Sequence, residues 1–209
     1  MDNVMSRERF FEDEHRIVDA AISLICEIGY DKFSTRRLAA RLGVSPMTLY
    51  NYFSNKEEIV QVSVSTAYEK AFEAIQNDLR DYFERESACP LLGFVEMGRK
   101  LLAFSKQYPQ MYSLVFVMGF APYCEQSSIV ECYNYTSQRV LERLVDRDVE
   151  KELHQHIYLF QVLAAALVRN IYTGGNSTDD DAFESNLLLS YERLLKPFER
   201  YFAACPDTQ

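Results

Sequence analysis

Five basic side chains and a single acidic one lie between residues 31 and 56, and this makes the segment the chemically most distinctive part of the chain. Its local charge balance is 5 − 1 = +4, whereas residues 57–209 hold 14 basic and 23 acidic residues, a balance of −9. DNA responds mainly to charges within about 8 Å of its phosphates. A small basic segment on an acidic chain can therefore bind phosphate. The five basic residues are Lys32, Arg36, Arg37, Arg41 and Lys56.

The same segment predicts two short helices joined by a tight turn. Ser34 is suited to cap the first helix, and Gly43 is suited to end it. Ser45 can cap the second helix, with Pro46 at its first position. Two such helices form a helix-turn-helix unit. Its expected packing residues are Leu38, Ala39, Val44 and Leu49. The side chains suited to a major groove about 12 Å wide are Ser45, Met47, Thr48, Asn51 and Tyr52.

The elements that must position this unit are also predicted to be helices, because apolar residues recur at spacings of three and four along the chain. A first helix should close at Gly29, where a left-handed residue fits. A long helix should start near Asn55 and run to about residue 86. Ser54 and Glu57 have the spacing of a capping box for it.

Later breaks in the pattern separate further helices. They are expected at about residues 90–107, 109–118, 127–145, 149–172 and 179–202. Pro197 should kink the last helix or end it early. The fold class is therefore all-α, with a three-helix helix-turn-helix domain over residues 8–54 and a second helical domain over residues 55–205.

Several coupled positions in and around the helix-turn-helix match a known pattern. They are Glu27-Ile28-Gly29-Tyr30, Thr35, the run from Ala39 to Gly43-Val44-Ser45, and the run Leu49-Tyr50-Asn51-Tyr52-Phe53-Ser54-Asn55-Lys56-Glu57. In these positions residues 10–60 resemble the N-terminal domain of TetR-family (TetR/AcrR) transcription regulators. The resemblance covers about a quarter of the chain, and the rest agrees with the family in length and helix pattern.

The resemblance implies roles in DNA binding. Thr35 would bind a phosphate through its hydroxyl and its backbone N–H. The phenols of Tyr50 and Tyr52 and the ammonium of Lys56 would bind further phosphates. Met47 and the methyl group of Thr48 would contact thymine methyls. The whole implied interface is Thr35, Arg36, Ser45, Pro46, Met47, Thr48, Tyr50, Asn51, Tyr52 and Lys56.

Departures from the family pattern and simpler interpretations stand beside these roles. Pro46 and Met47 occupy positions where many relatives have Lys-Gly, and Tyr52 replaces a common histidine, so no operator sequence can be carried over. Tyr50 and Tyr52 could instead be core aromatics at helical spacing, as Phe53 is expected to be. Arg36 could bind phosphate or be solvated, and Arg41 is expected to pair with an acidic side chain.

For the second domain the resemblance implies a small-molecule pocket and a homodimer. The residues chosen for the pocket lining are Tyr112, Phe116 and Tyr133, although such aromatics also fill ordinary cores. Two helices from each subunit would form the two-fold interface. Its expected residues are Leu153, Ile157, Phe160, Ala164, Leu167, Phe183, Leu187, Tyr191 and Leu194.

Catalytic and metal chemistry has little support in the sequence. Glu150 and His154 could share a helix face, but two ligands fall short of the usual zinc set. No nucleophile elbow or Gly-rich phosphate loop occurs, so neither an enzyme nor a cofactor is expected. The five cysteines are scattered, the N-terminus has no signal pattern, and residues 162–168 are too short to cross a bilayer. A reducing cytoplasm and no membrane partner are therefore expected.

Together these features predict a sequence-specific DNA-binding transcription regulator. The favoured form is a homodimeric repressor that a small-molecule effector releases from a palindromic operator in double-stranded DNA. One alternative is an activator or nucleoid-type protein that binds DNA without an effector. Another is a protein-interaction module whose helix-turn-helix no longer binds DNA.

Overall fold

The computed structural model describes residues 2–85, 89–118, 128–174 and 179–202, without the side chains of residues 2–12, 77–78 and 128–134. In the described part all regular secondary structure is helical, apart from one isolated bridge between Leu144 and Phe202, which confirms the all-α prediction. The α-helices are α1 (Asp2–Ile28), α2 (Thr35–Leu42), α3 (Pro46–Leu49), α4 (Lys56–Phe83), α5 (Leu92–Gln107), α6 (Pro109–Tyr112), α7 (Ser128–Glu142), α8 (Glu150–Tyr172) and α9 (Asp180–Leu194). Shorter 3-10 helices span Tyr30–Lys32, Arg147–Val149 and Lys196–Tyr201.

The chain divides into two compact units. The first comprises Met1–Lys70 and Gln110–Ser127, and the second comprises Ala71–Pro109 and Ser128–Gln209. The predicted domains, residues 8–54 and 55–205, divide the chain at the cap that begins α4. The contacts divide it within α4 instead. By contacts, the first half of α4 belongs to the first unit.

In the first unit, α1 packs on α2, and α2 packs on α3. Its core takes one apolar stripe from α1, including Ile17, Ala21 and Ile25, each at most 5% exposed. Phe53 is buried as predicted. Val44 is 39% exposed, so its prediction as a packing residue was wrong. It follows the turn at Gly43 and lines a surface groove instead of the core.

Local capping chemistry explains where the short helices begin and end. The hydroxyl of Ser34 accepts the N–H of Arg37, and Gly43 ends α2 with φ 69° in the left-handed region. The predicted cap of α4 was one residue off. The side chain of Asn55 accepts the N–H of Glu58 at 2.8 Å, and the Glu58 carboxylate accepts the N–H of Ser54. Asn55 with Glu58 therefore replaces the expected pair of Ser54 with Glu57.

Residues 109–118 were predicted as one helix and form two pieces. After α6, Ser113–Val117 form a π-helix, closed by the N–H of Met118 bonding the carbonyl of Ser113 at 2.9 Å. Gln110 connects this segment to α1 through two hydrogen bonds. Its side-chain amide donates to the Ser23 hydroxyl at 3.2 Å, and its backbone carbonyl accepts from the Cys26 thiol at 3.1 Å. Burial raises the pKa of that thiol to about 11.

In the second unit, α5, α8 and α9 pack on one another. Gly98 allows close approach, since a Cβ there would lie 3.0 Å from a methyl of Leu187 and 3.6 Å from Ala164. Arg99 of α5 adds ion pairs to Glu96 and Glu184.

Two further features of this unit bear on the sequence predictions. As predicted, the last helix ends early, because α9 stops at Leu194 before Pro197. Cys89 is disulfide-bonded, contrary to the expectation of reduced cysteines.

Within the described ranges, no helix has the length and apolar character needed to cross a membrane.

Candidate nucleic-acid interface

The second helix of the helix-turn-helix presents its predicted face to solvent. Ser45 caps α3, because its hydroxyl accepts the N–H of Thr48 at 3.2 Å and lies 3.0 Å from the Thr48 hydroxyl. Pro46 occupies the first turn, where no N–H is needed. Met47 is 72% exposed, and Asn51 is exposed as well. Both side chains are therefore accessible to another molecule.

Thr35 and Tyr50 meet at the N-terminus of α2. Their hydroxyl oxygens lie 3.3 Å apart, although the residues are separated by 15 positions in the chain. Tyr50 is 46% exposed, so it is not a core aromatic. Unpaired backbone N–H groups at a helix start favour an anion. The two hydroxyls and the start of α2 could therefore hold one phosphate, with Arg36 exposed beside them.

Lys56 lies at the first position of α4 and is held by aromatic rings. Its Nζ is 4.3 Å from the centre of the Tyr30 ring and 5.9 Å from that of Phe33. These contacts fix the ammonium group without a carboxylate partner among the described ion pairs. Lys56 therefore keeps its charge available to an anion.

Tyr52 has a different environment from Tyr50. It is half-buried, and its hydroxyl donates to Oδ2 of Asp13 at 3.1 Å. Burial raises the pKa of the Tyr52 phenol, and the hydrogen bond and negative charge of Asp13 raise it further. The phenol therefore stays protonated, and in this structure it donates its hydrogen bond to a carboxylate.

Sequence reasoning missed Asp13 and Arg16 of α1. With Thr48 and Tyr52 they line a groove of about 110 Å³ whose other walls are apolar. An Arg16 nitrogen lies 3.6 Å from Asp13. No local motif marks this contact, since Asp13 and Tyr52 are 39 positions apart. In contrast, the expected pairing of Arg41 is confirmed, because it lies 2.6 Å from Glu27.

The predicted effector residues fall in different environments. Tyr112 is 1% exposed and stacks on Phe116, with ring centres 5.0 Å apart, and both belong to the first unit. The side chain of Tyr133 lies outside the described part of the structure. In the second unit a cleft of about 410 Å³ is lined by Arg80, Phe83, Glu84, Tyr135 and Arg139.

Most of the residues predicted for the dimer interface are buried within the single chain. Seven of the nine are at most 5% exposed within the single chain, and the other two, Leu167 and Leu194, are partly exposed. The buried seven are Leu153, Ile157, Phe160, Ala164, Phe183, Leu187 and Tyr191. They form the core between α8, α9 and α5, so they are not available to a second chain. The large apolar side chains exposed on α8 and α9 are Tyr158, Leu159, Val162, Leu163, Leu188 and Leu189.

Comparison with known proteins agrees with this geometry. The family model for the N-terminal domain of "Bacterial regulatory proteins, tetR family" matches residues 17–62. The fatty acid metabolism regulator protein of Bacillus subtilis (strain 168) is 35% identical over 80 residues, which make up 38% of this chain and 40% of that protein.

Solved structures match over most of the chain. A TetR family transcription regulator from Marinobacter aquaeolei VT8 has a TM-score of 0.62 at 16% identity, covering 89% of this chain and 97% of its own. A TetR-family transcriptional regulator from Haemophilus influenzae RD has a TM-score of 0.60 at 17% identity, covering 90% and 97%. These structures share the fold of the chain. Its residues 17–62 are similar to the N-terminal domain of the tetR family of bacterial regulatory proteins.

Proposed function

We propose that the chain is a sequence-specific, DNA-binding transcription regulator and not an enzyme. The observation that carries the proposal is the helix-turn-helix surface, where the exposed Met47 and the partly exposed Thr48 of α3 lie in one unit with groups suited to bind phosphate. The α3 side chains would read base edges, and Thr35, Tyr50 and Lys56 would hold the backbone. A cytoplasmic location follows from that role.

We further propose that it acts as a homodimer through the exposed apolar side chains of α8 and α9. Tyr158, Leu159, Val162 and Leu163 follow one another at helical spacing and leave an apolar stripe open to solvent. Apolar patches of this kind mark protein interfaces. A two-fold dimer would read a palindrome with half-site centres about 34–36 Å apart.

A small-molecule effector is the third part of the proposal. Among the described residues, no hydrogen-bond partner is found for the buried hydroxyls of Thr136 and Ser137 on α7 or for the buried amide nitrogen of Gln161 on α8. Buried polar groups are nearly always hydrogen-bonded, so these groups are candidate partners for the polar part of a bound molecule. Its binding would weaken DNA affinity by about 5- to 150-fold, the usual range of allosteric coupling.

Selection of bound fragments from random duplex DNA tests the first two parts. The expected result is a palindrome with the stated half-site spacing, and recovery of no enriched sequence would refute the proposal. Titration of compounds against the selected complex tests the third part. Fatty acids are the first class to try, because the matched Bacillus subtilis protein is named as a regulator of fatty acid metabolism.

A further inference from the structure

The hydrogen bond between Tyr52 and Asp13 conflicts with phosphate binding by Tyr52. A phenol carries one proton, and here it is donated to Oδ2 of Asp13 at 3.1 Å. A phosphodiester oxygen can only accept. The Tyr52 hydroxyl therefore cannot donate to DNA while it donates to Asp13. We propose that Asp13 competes with the DNA backbone for Tyr52 and thereby keeps the DNA affinity of the chain below what its interface could reach.

The position of Asp13 makes this competition local to the interface. Asp13 lines the same groove as Thr48 and Tyr52, so its carboxylate lies beside the helix that is proposed to read bases. A negative charge there also repels the phosphates themselves. This inference rests on the proposed function, since it concerns how tightly the chain binds DNA.

Arg16 does not cancel the effect of Asp13. Its nitrogen is 3.6 Å from Oδ1 of Asp13, and the two side chains are 73% and 42% exposed. An exposed pair of this kind, three residues apart on a helix, interacts weakly. The hydrogen bond from the Tyr52 hydroxyl therefore remains the main interaction of the Asp13 carboxylate.

The test compares Asp13→Asn with Asp19→Asn by fluorescence anisotropy on a short random-sequence duplex at low ionic strength. Asp19 is exposed on the same helix, so the control removes the same charge without touching Tyr52. A hydrogen bond to a charged acceptor is stronger than one to a neutral acceptor. We expect Asp13→Asn to bind about five- to tenfold more tightly than the unaltered chain, and Asp19→Asn to gain far less.

Tyr52→Phe then separates competition from simple repulsion. Without the hydroxyl, the advantage of Asp13→Asn over Asp19→Asn should shrink to the small part that charge repulsion supplies, and thermal melting should verify that every variant is folded. Equal affinities of the two aspartate variants, or an advantage that Tyr52→Phe leaves undiminished, would overturn the inference while leaving the proposed function intact. If neither the unaltered chain nor Asp13→Asn binds any duplex, both the inference and the proposed function fail.

Discussion

Lys56 offers a direct measure of the proposed phosphate contacts. Its ammonium group lies 4.3 Å from the centre of the Tyr30 ring at the start of α4, so it is held in position before DNA arrives. Each neutralised phosphate contributes about 0.9 to the slope of log affinity against log salt concentration. The proposed homodimer carries two copies of Lys56, so Lys56→Ala should lower that slope by about 1.8. Over a fourfold rise in salt this amounts to about a 12-fold change in the affinity ratio of the two proteins.

The assay is duplex binding at about 50 and 200 mM salt, the range over which such slopes are usually compared. A selected duplex and a random-sequence duplex should be weakened by similar factors, because a phosphate contact carries no sequence information. Lys151→Ala is the matched control, since Lys151 is an exposed lysine of α8. Loss of the ring contact itself costs about 0.5–1 kcal/mol of stability, which a melting curve would detect.

Two results would refute the reasoning on Lys56. The first is an unchanged salt slope, which would mean that Lys56 neutralises no phosphate. The second is a loss confined to the selected duplex, which would assign Lys56 to base recognition.

Three further predictions follow from the described contacts. Thr48→Ala should change which sequences are selected more than it changes affinity for random DNA; an unchanged sequence preference would remove Thr48 from the base-reading set. Leu163→Lys should give folded monomers in sedimentation, whereas Phe160→Ala should lower the free energy of unfolding by about 3–5 kcal/mol; a dimer that survives Leu163→Lys would contradict the proposed face. Since the pKa of Cys26 is raised from 9.0 to about 11, native Cys26 should be alkylated about 100-fold more slowly than in the unfolded chain near pH 8. Equal rates by peptide mass spectrometry would contradict the burial of Cys26.

Local chemistry made the helix-turn-helix predictable. Ser34, Gly43, Ser45 and Pro46 act on neighbours within four residues, so their caps can be read without knowledge of the tertiary structure. The error at α4 has the same origin. Ser54 with Glu57, and Asn55 with Glu58, are both plausible capping pairs, and only the folded geometry selects the second.

Periodicity predicted α8 and α9 but not which apolar face each would bury. α8 carries apolar residues on most of its circumference, so one stripe covers the core of its own chain and another is left exposed. The sequence pattern assigns both stripes equal apolar character. The stripe that is buried is the one that packs on α5, where Gly98 leaves room for Leu187 and Ala164. These residues are distant in sequence, so their contact could not be predicted from the local pattern.

The hydroxyl groups of the proposed interface are already engaged in the free chain, and this bears on where its DNA affinity comes from. Tyr50 is within hydrogen-bond distance of Thr35, and Tyr52 donates to Asp13. When phosphate replaces such a partner, one hydrogen bond is exchanged for another, and the net gain is small. The aromatic contact of Lys56 is different, because a ring does not neutralise its charge. Affinity should therefore come mainly from cations and fall steeply with salt, while the hydroxyls fix the register in which α3 meets the bases.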